Sequence, residues 1–321
     1  MTLAGVVLFC KNWYYISMWI IYSLFGAFFQ ASEMAIKKKA LQTKGANNFI
    51  AFAAFSLAAL LFAIFILFQS GSLVPEHALS SRFWIGIAAT VTVNVVATYF
   101  LYKALDFSEL SYLMPFMTLT SLTIIIPPMF LFHEYPSPFG LIGILVVVMG
   151  AFMMDYKKAK VTEAEILVHK QNRKGLLYFL VTAACYTISP SVTKLAVIES
   201  SPLFATFLIH LLMGAAFGIF ILMLGEKVKI KNIIRTFKGN EARNFSIAIV
   251  LAAVSIAISN ISINVAYQFQ DVAYVMAIKR VMPFFAFLFG YFYFKERTNL
   301  KRKILATATM IAGAVLITVF S

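Results

Sequence analysis

Residues 266–296 read AYQFQDVAYVMAIKRVMPFFAFLFGYFYFKE, and residues 104–134 read ALDFSELSYLMPFMTLTSLTIIIPPMFLFHE. Set over each other at an offset of 162 with no gap, they share Ala104/Ala266, Phe107/Phe269, Tyr112/Tyr274, Met114/Met276, Phe130/Phe292, Phe132/Phe294 and Glu134/Glu296. The match runs on to Ile142/Ile304. An offset of 155 sets Lys39 on Lys194, Phe49 on Phe204 and Phe52 on Phe207. The chain therefore reads as one unit used twice.

Working outward, the unit is apolar. Of 321 residues, 61% are hydrophobic and 12% charged, and the mean hydropathy is +0.87. A soluble chain is nearer half apolar and a quarter charged, so the bilayer is the main solvent. A spanning helix needs about 20 mostly apolar residues. Ten stretches qualify: 13–36, 49–69, 82–105, 109–132, 137–155, 175–198, 202–224, 244–268, 271–293 and 303–320. They are too long and too unalternating for barrel strands. The expected fold is all-α and integral to the membrane, with ten transmembrane helices as two inverted five-helix repeats. The first repeat covers 13–155, a basic cytoplasmic linker 156–174, and the second repeat 175–320. Because five is odd, the second copy enters the bilayer from the opposite side. Such a pair suits alternating access, with a site near mid-membrane between the repeats.

Net charge is +14. In a soluble protein this would raise nucleic acid as a partner. Here 22 of the 27 Lys and Arg fall in or beside the loops after odd-numbered spans, while Lys11 and Arg82 lie toward the other face. Positive loops stay cytoplasmic, so both termini are expected outside and no nucleic-acid partner is expected. The stretches 157–174 and 227–243 read as solvated connectors or as short amphipathic helices on an anionic surface. The start, Met1 to Cys10, lacks the features of a signal peptide. Cys10 and Cys185 support neither a disulfide framework nor a metal motif. No GxxxxGK[ST] occurs, so ATP-driven transport by this chain alone is excluded. His77, His133, His169 and His210 are scattered, with no metalloenzyme spacing. No cofactor and no enzymatic activity are expected.

A doubled five-helix unit whose Pro-containing fourth and ninth spans each end in an aromatic–x–Glu turn resembles the drug/metabolite transporter superfamily, EamA-type. The resemblance covers nearly the whole chain, most clearly 104–155 and 175–320. It implies a secondary carrier or exporter of small metabolites, multi-pass in the cell membrane. Members usually keep both termini in the cytoplasm, and the charge bias here says the reverse. Single-repeat relatives of either orientation make a flipped fusion physically allowed.

A charge at bilayer depth costs about 2.5–3.5 kcal/mol on insertion scales, so charges inside spans suggest function. Lys279 and Arg280 lie within span nine, just before Pro283. Arg offers a bidentate fork and Lys a mobile point charge for a carboxylate or phosphate. The plainer reading is a salt bridge to Glu33 or a snorkelling lysine. The IKRV stretch at 278–281 is similar to the phosphate-binding Lys-Arg pair of plastid phosphate translocators, a branch of the same superfamily. That branch also carries a helix-six lysine near the place of Lys194, but a span-four cation that is absent here. Lys194 follows Pro190 late in span six; its plainer reading is contact with Glu199. Glu33 in span one is a proton-coupling candidate, since small proton-coupled exporters of the superfamily use a first-helix Glu. Lys37, four residues on, offers it an ordinary helical pair.

Asn260 and Asn264 stand one turn apart on span eight, and the repeat sets Thr98 and Tyr102 against them on span three. With Tyr274 and Tyr112 they are candidate cavity residues, or interhelical glue. Gln30, Ser189 and Asn94 are weaker candidates. Pro115, Pro127, Pro128, Pro190 and Pro283 are hinges or static kinks. Small residues in spans five and ten allow close packing, within the chain or in a homodimer. The favoured expectation is transport of a small anionic or zwitterionic metabolite held by Lys279 and Arg280, with Lys194 assisting. Two alternatives stand beside it: proton-coupled efflux of cationic or amphipathic compounds through Glu33, and a non-transporting membrane scaffold.

Overall fold

The structure is a computed structural model describing residues 3–40, 47–73, 75, 79–107, 120, 122–155, 165–223, 240–292 and 300–320. Within these, the side chains of 3–17, 37–40, 47, 102, 105–106, 154–155, 165–173, 240–241, 290 and 300 are not described. The described helices are α1 (Leu3–Ala40), α2 (Asn47–Ser70), α3 (Ser81–Phe107), α4 (Ile126–Leu131), α5 (Pro138–Asp155), α6 (Glu165–Ile198), α7 (Pro202–Met223), α8 (Asn240–Ala266), α9 (Val272–Lys279), α10 (Met282–Phe292) and α11 (Leu300–Phe320). Eight described segments are long and apolar enough to cross a membrane, and Pro138–Met153 is a shorter apolar helix. Among the described residues the chain is all-helical, and its helices fall into two repeats. In lipid every backbone polar group must be satisfied within the chain, and helices do this locally.

Two boundaries differ from expectation. Span nine is two helices, α9 and α10, because Pro283 has no N–H to give to the carbonyl of Lys279. Helix α6 begins at Glu165, inside the stretch read as a linker. Residues 109–119 and 121 of span four, including Tyr112, lie outside the described residues, as does the side chain of Tyr102.

The way helices pair carries the two-fold relation. The most extensive packing joins α1 to α8, α3 to α6, α2 to α7 and α5 to α11. Exchanging the repeats turns the α1–α8 pair into the α6–α3 pair, and returns the other two pairs to themselves. Side-chain-to-carbonyl bonds cross the first two interfaces at corresponding depths, with the donor on opposite members of the two pairs. Ser259 Oγ donates to the Gly26 carbonyl at 2.8 Å; Thr182 Oγ donates to the Ala97 carbonyl at 3.2 Å. Ala97 and Ser259 are 162 residues apart, the offset read from the sequence.

Small residues set the closest approach. A Cβ on Gly143 would meet Ile317 N at 2.9 Å, and one on Gly150 would meet the Ala306 carbonyl at 2.8 Å. The glycine faces of α5 and α11 are thus filled by each other within one chain. Trp19, Ile144, Val147, Tyr274, Ile278 and Ile317 form the apolar cluster beside this seam.

Candidate functional site at the break in span nine

The break is built by backbone chemistry. Arg280 N–H is shared between the carbonyls of Met276 and Ala277, both at 3.1 Å. The next bonds are tight i→i+3 links, Val281 to Ile278 at 3.0 Å and Phe284 to Val281 at 2.9 Å. Helix α10 then starts with Pro283 in its first turn, where a missing N–H costs little. The C-terminus of α9 and the N-terminus of α10 therefore face one point. Lys279 sits there about 10 Å from the start of α9, at 1.5 Å rise per residue, in a hydrocarbon core about 30 Å thick. The carbonyl end of α9 favours the two cations placed on it.

Arg280 Nη2 donates to Thr120 Oγ1 at 2.7 Å, which fixes the guanidinium toward span four. Lys279 lies within electrostatic range of both Glu33 and Arg280. Both cations are half-buried. The structure thus brings together Lys279, Arg280, Glu33 and Thr120 from three spans. Thr120 is not among the residues named from sequence; nothing in its spacing marks it, because only the fold sets it beside Arg280.

Lys194 belongs to a second cluster. Its ammonium donates to Glu134 Oε1 at 2.5 Å and to the Gln270 carbonyl at 3.1 Å. It also lies 5.5 Å from the Phe132 ring centroid. Glu134 Oε2 accepts the N–H of Val272 at 3.0 Å, capping α9 at its first residue. The expected contact of Lys194 with Glu199 is replaced by this arrangement; Glu199 instead accepts from Ser80 at 2.6 Å and faces Arg82 at 3.9 Å. Beside the cluster, Asp271 lies in the connector before the membrane segment Val272–Phe289. Its carboxyl is pushed up from the ordinary 3.8, first by burial and then by Glu134, with Lys194 opposing.

Asn260 and Asn264 face α7. Asn264 Nδ2 donates to Thr206 Oγ1 at 2.8 Å, and Asn260 Nδ2 is 3.0 Å from His210 Nε2. His210 Nδ1 is 2.6 Å from the Thr206 carbonyl. A carbonyl only accepts and an amide nitrogen only donates, so the histidine proton sits on Nδ1. Phe55 and Phe62 flank the ring, at 5.7 and 5.5 Å. These two asparagines therefore link α7 to α8, the interhelical alternative of the sequence reading. Sequence reasoning missed His210 here, although it is the one histidine inside an expected span. Tyr274 is 3% exposed; its hydroxyl accepts the Ser137 N–H at 2.8 Å at the start of α5. Thr98 is half-buried on α3. Asn94 and Ser189 bond each other at 3.0 Å across the α3–α6 interface. The Glu33–Lys37 pairing lies outside the described side chains.

One solved crystal structure is similar to this chain with a TM-score of 0.73 and 13% identity, covering 95% of this chain and 96% of that one. At that identity the likeness concerns the fold alone. No curated protein matches the chain. The profile of the EamA-like transporter family matches twice, over residues 17–155 and 173–319, one match to each repeat. With both halves matched, the chain belongs to the EamA-like transporter family.

Proposed function

We propose that this membrane transporter carries a small anionic or zwitterionic metabolite by alternating access, its acidic group held by Lys279 and Arg280. The observation that carries this reading is the break in span nine, which gathers two cations, a carboxylate and a hydroxyl at depth. Arg280 is pre-oriented by Thr120, so less ordering is left for the cargo to supply. The two cations outnumber Glu33, which favours an acidic group over a cationic drug. Lys194 lies at the far end of α9 and is not given to the cargo in this reading. The basic loops after odd-numbered spans are assigned to the cytoplasm, and both termini to the outside.

A second reading rests on the proximity of Glu33 to Lys279. There Glu33 exchanges protons with a cationic or amphipathic cargo. Thermal unfolding of the purified protein, screened against organic phosphates, carboxylates, amino acids and cationic dyes, separates the two, since a ligand of the folded form raises the midpoint. On the first reading, acidic compounds raise it, Lys279→Ala removes the effect and Glu33→Gln spares it. Cationic dyes raising it, with loss on Glu33→Gln alone, would establish the second reading instead.

A further inference from the structure

We propose that Glu134 and Lys194 form a releasable gate, so that Lys194 is a positioning residue for the transport cycle and not a ligand for the cargo. The inference rests on the alternating-access reading above. Glu134 stands on the connector after α4, and Lys194 on α6, which packs on α3. Gln270 stands on the connector between α8 and α9, and Val272 is the first residue of α9; both of those helices pack on α1. The four-part arrangement therefore ties the α3–α6 group to the α1–α8–α9 group at one end of the molecule. Both tied backbone groups flank the start of α9, the helix that carries Lys279 and Arg280 at its other end. Movement of the tie is thus transmitted along a single short rigid helix to the proposed cargo site.

The chemistry suits a latch. The Lys194 and Glu134 side chains are 10% and 11% exposed, so water screens their attraction weakly. A nearby pair differs on both counts: Arg82 is 79% exposed and lies 3.9 Å from Glu199. Surface pairs of that kind contribute little. The tie itself is three hydrogen bonds, one between the two side chains and two to backbone groups, with the Phe132 ring beside the ammonium. Both partners can pass to water when the face opens, so the tie is reversible. The repeat sets Lys39 on Lys194 and Glu296 on Glu134 by sequence; those side chains lie outside the described residues.

The test measures distance across this face in lipid nanodiscs. Nitroxides are attached at Ile198→Cys on α6 and Phe269→Cys on the connector between α8 and α9, two exposed positions on opposite sides of the tie, in a Cys10→Ser/Cys185→Ser background. Pulsed dipolar spectroscopy then reports the ratio of long to short separations. Glu134→Gln and Lys194→Gln should each raise that ratio about tenfold, equivalent to about 1.4 kcal/mol. Arg82→Gln should leave it unchanged. Glu134→Asp keeps the charge on a shorter arm and should give an intermediate rise, which serves where a Gln variant fails to fold. Unchanged distances in folded variants, or an equal rise with Arg82→Gln, overturn the gate. A failed gate leaves the ligand-induced thermal shifts at Lys279 and Arg280 intact, so the two proposals fail separately.

Discussion

Replacing Gly313 by alanine tests whether α5 and α11 are held by backbone proximity. A Cβ there would lie 2.6 Å from Val147 N and 2.8 Å from the Gly143 carbonyl. Ordinary carbon contacts are about 3.5–4.0 Å, so the shortfall is about 1 Å. Both obstructing atoms are backbone, and no rotamer change relieves them. The helices must part, and Ile144, Val147 and Ile317, each at most 1% exposed, lose their close packing. Lipid tails are as apolar as these side chains, so packing itself is what holds the pair. Overpacking of this kind costs about 1–3 kcal/mol. Alanine returns at most about 1 kcal/mol through better helix propensity. The net expectation is about 1 kcal/mol lost, or a fall of about 2 °C in the unfolding midpoint. Gly313→Val adds bulk without that return and should fall further. Gly218→Ala is the comparison: its Cβ would meet only Phe52 ring carbons, at 3.2 and 3.3 Å, and the ring can yield. Thermal unfolding in nanodiscs, followed by tryptophan fluorescence, gives the ranking. If Gly313→Val melts with the parent, the seam does not depend on close backbone approach and the reasoning fails.

Two further outcomes follow from the same contacts. Because the Asp271 carboxyl is raised in the folded chain, the folded state binds more protons than the unfolded state, and stability falls as pH rises above 3.8. Asp271→Asn should therefore raise the midpoint at neutral pH, with the advantage vanishing below that value; a stabilisation independent of pH would contradict the assignment. His210→Leu leaves the Asn260 amide and the Thr206 carbonyl without their ring partner, and should cost about 1–3 kcal/mol. Double-mutant analysis with Asn260→Leu should recover part of that loss, and strict additivity would show that the two side chains do not interact.

The architecture was legible because its causes are local or periodic. Long apolar runs require helices in lipid, and the 162-residue offset in 104–142 and 266–304 signals duplication without any contact being known. Pro283 announced a kink beside Lys279 and Arg280. Glu134 was visible as half of a repeated motif, but its work was not, since its partners are 60 and 138 residues away. Lys194 stood out for the same reason as Lys279, since a cation inside a span is costly wherever it points, and nothing along the chain marked Glu134 as its partner.

By itself, the sequence determined the membrane as solvent, the helical character of its spans, the doubled unit and the candidates for buried charge. These follow from composition and spacing along one chain. Only the tertiary structure decided which charges meet: Arg280 with Thr120, Lys279 near Glu33, Lys194 with Glu134, and the asparagines of α8 with His210. The reason is that helix packing sets the rotation and depth of each helix against its neighbours, and a few ångströms of either separates a shielded ion pair from a side chain open to a passing solute.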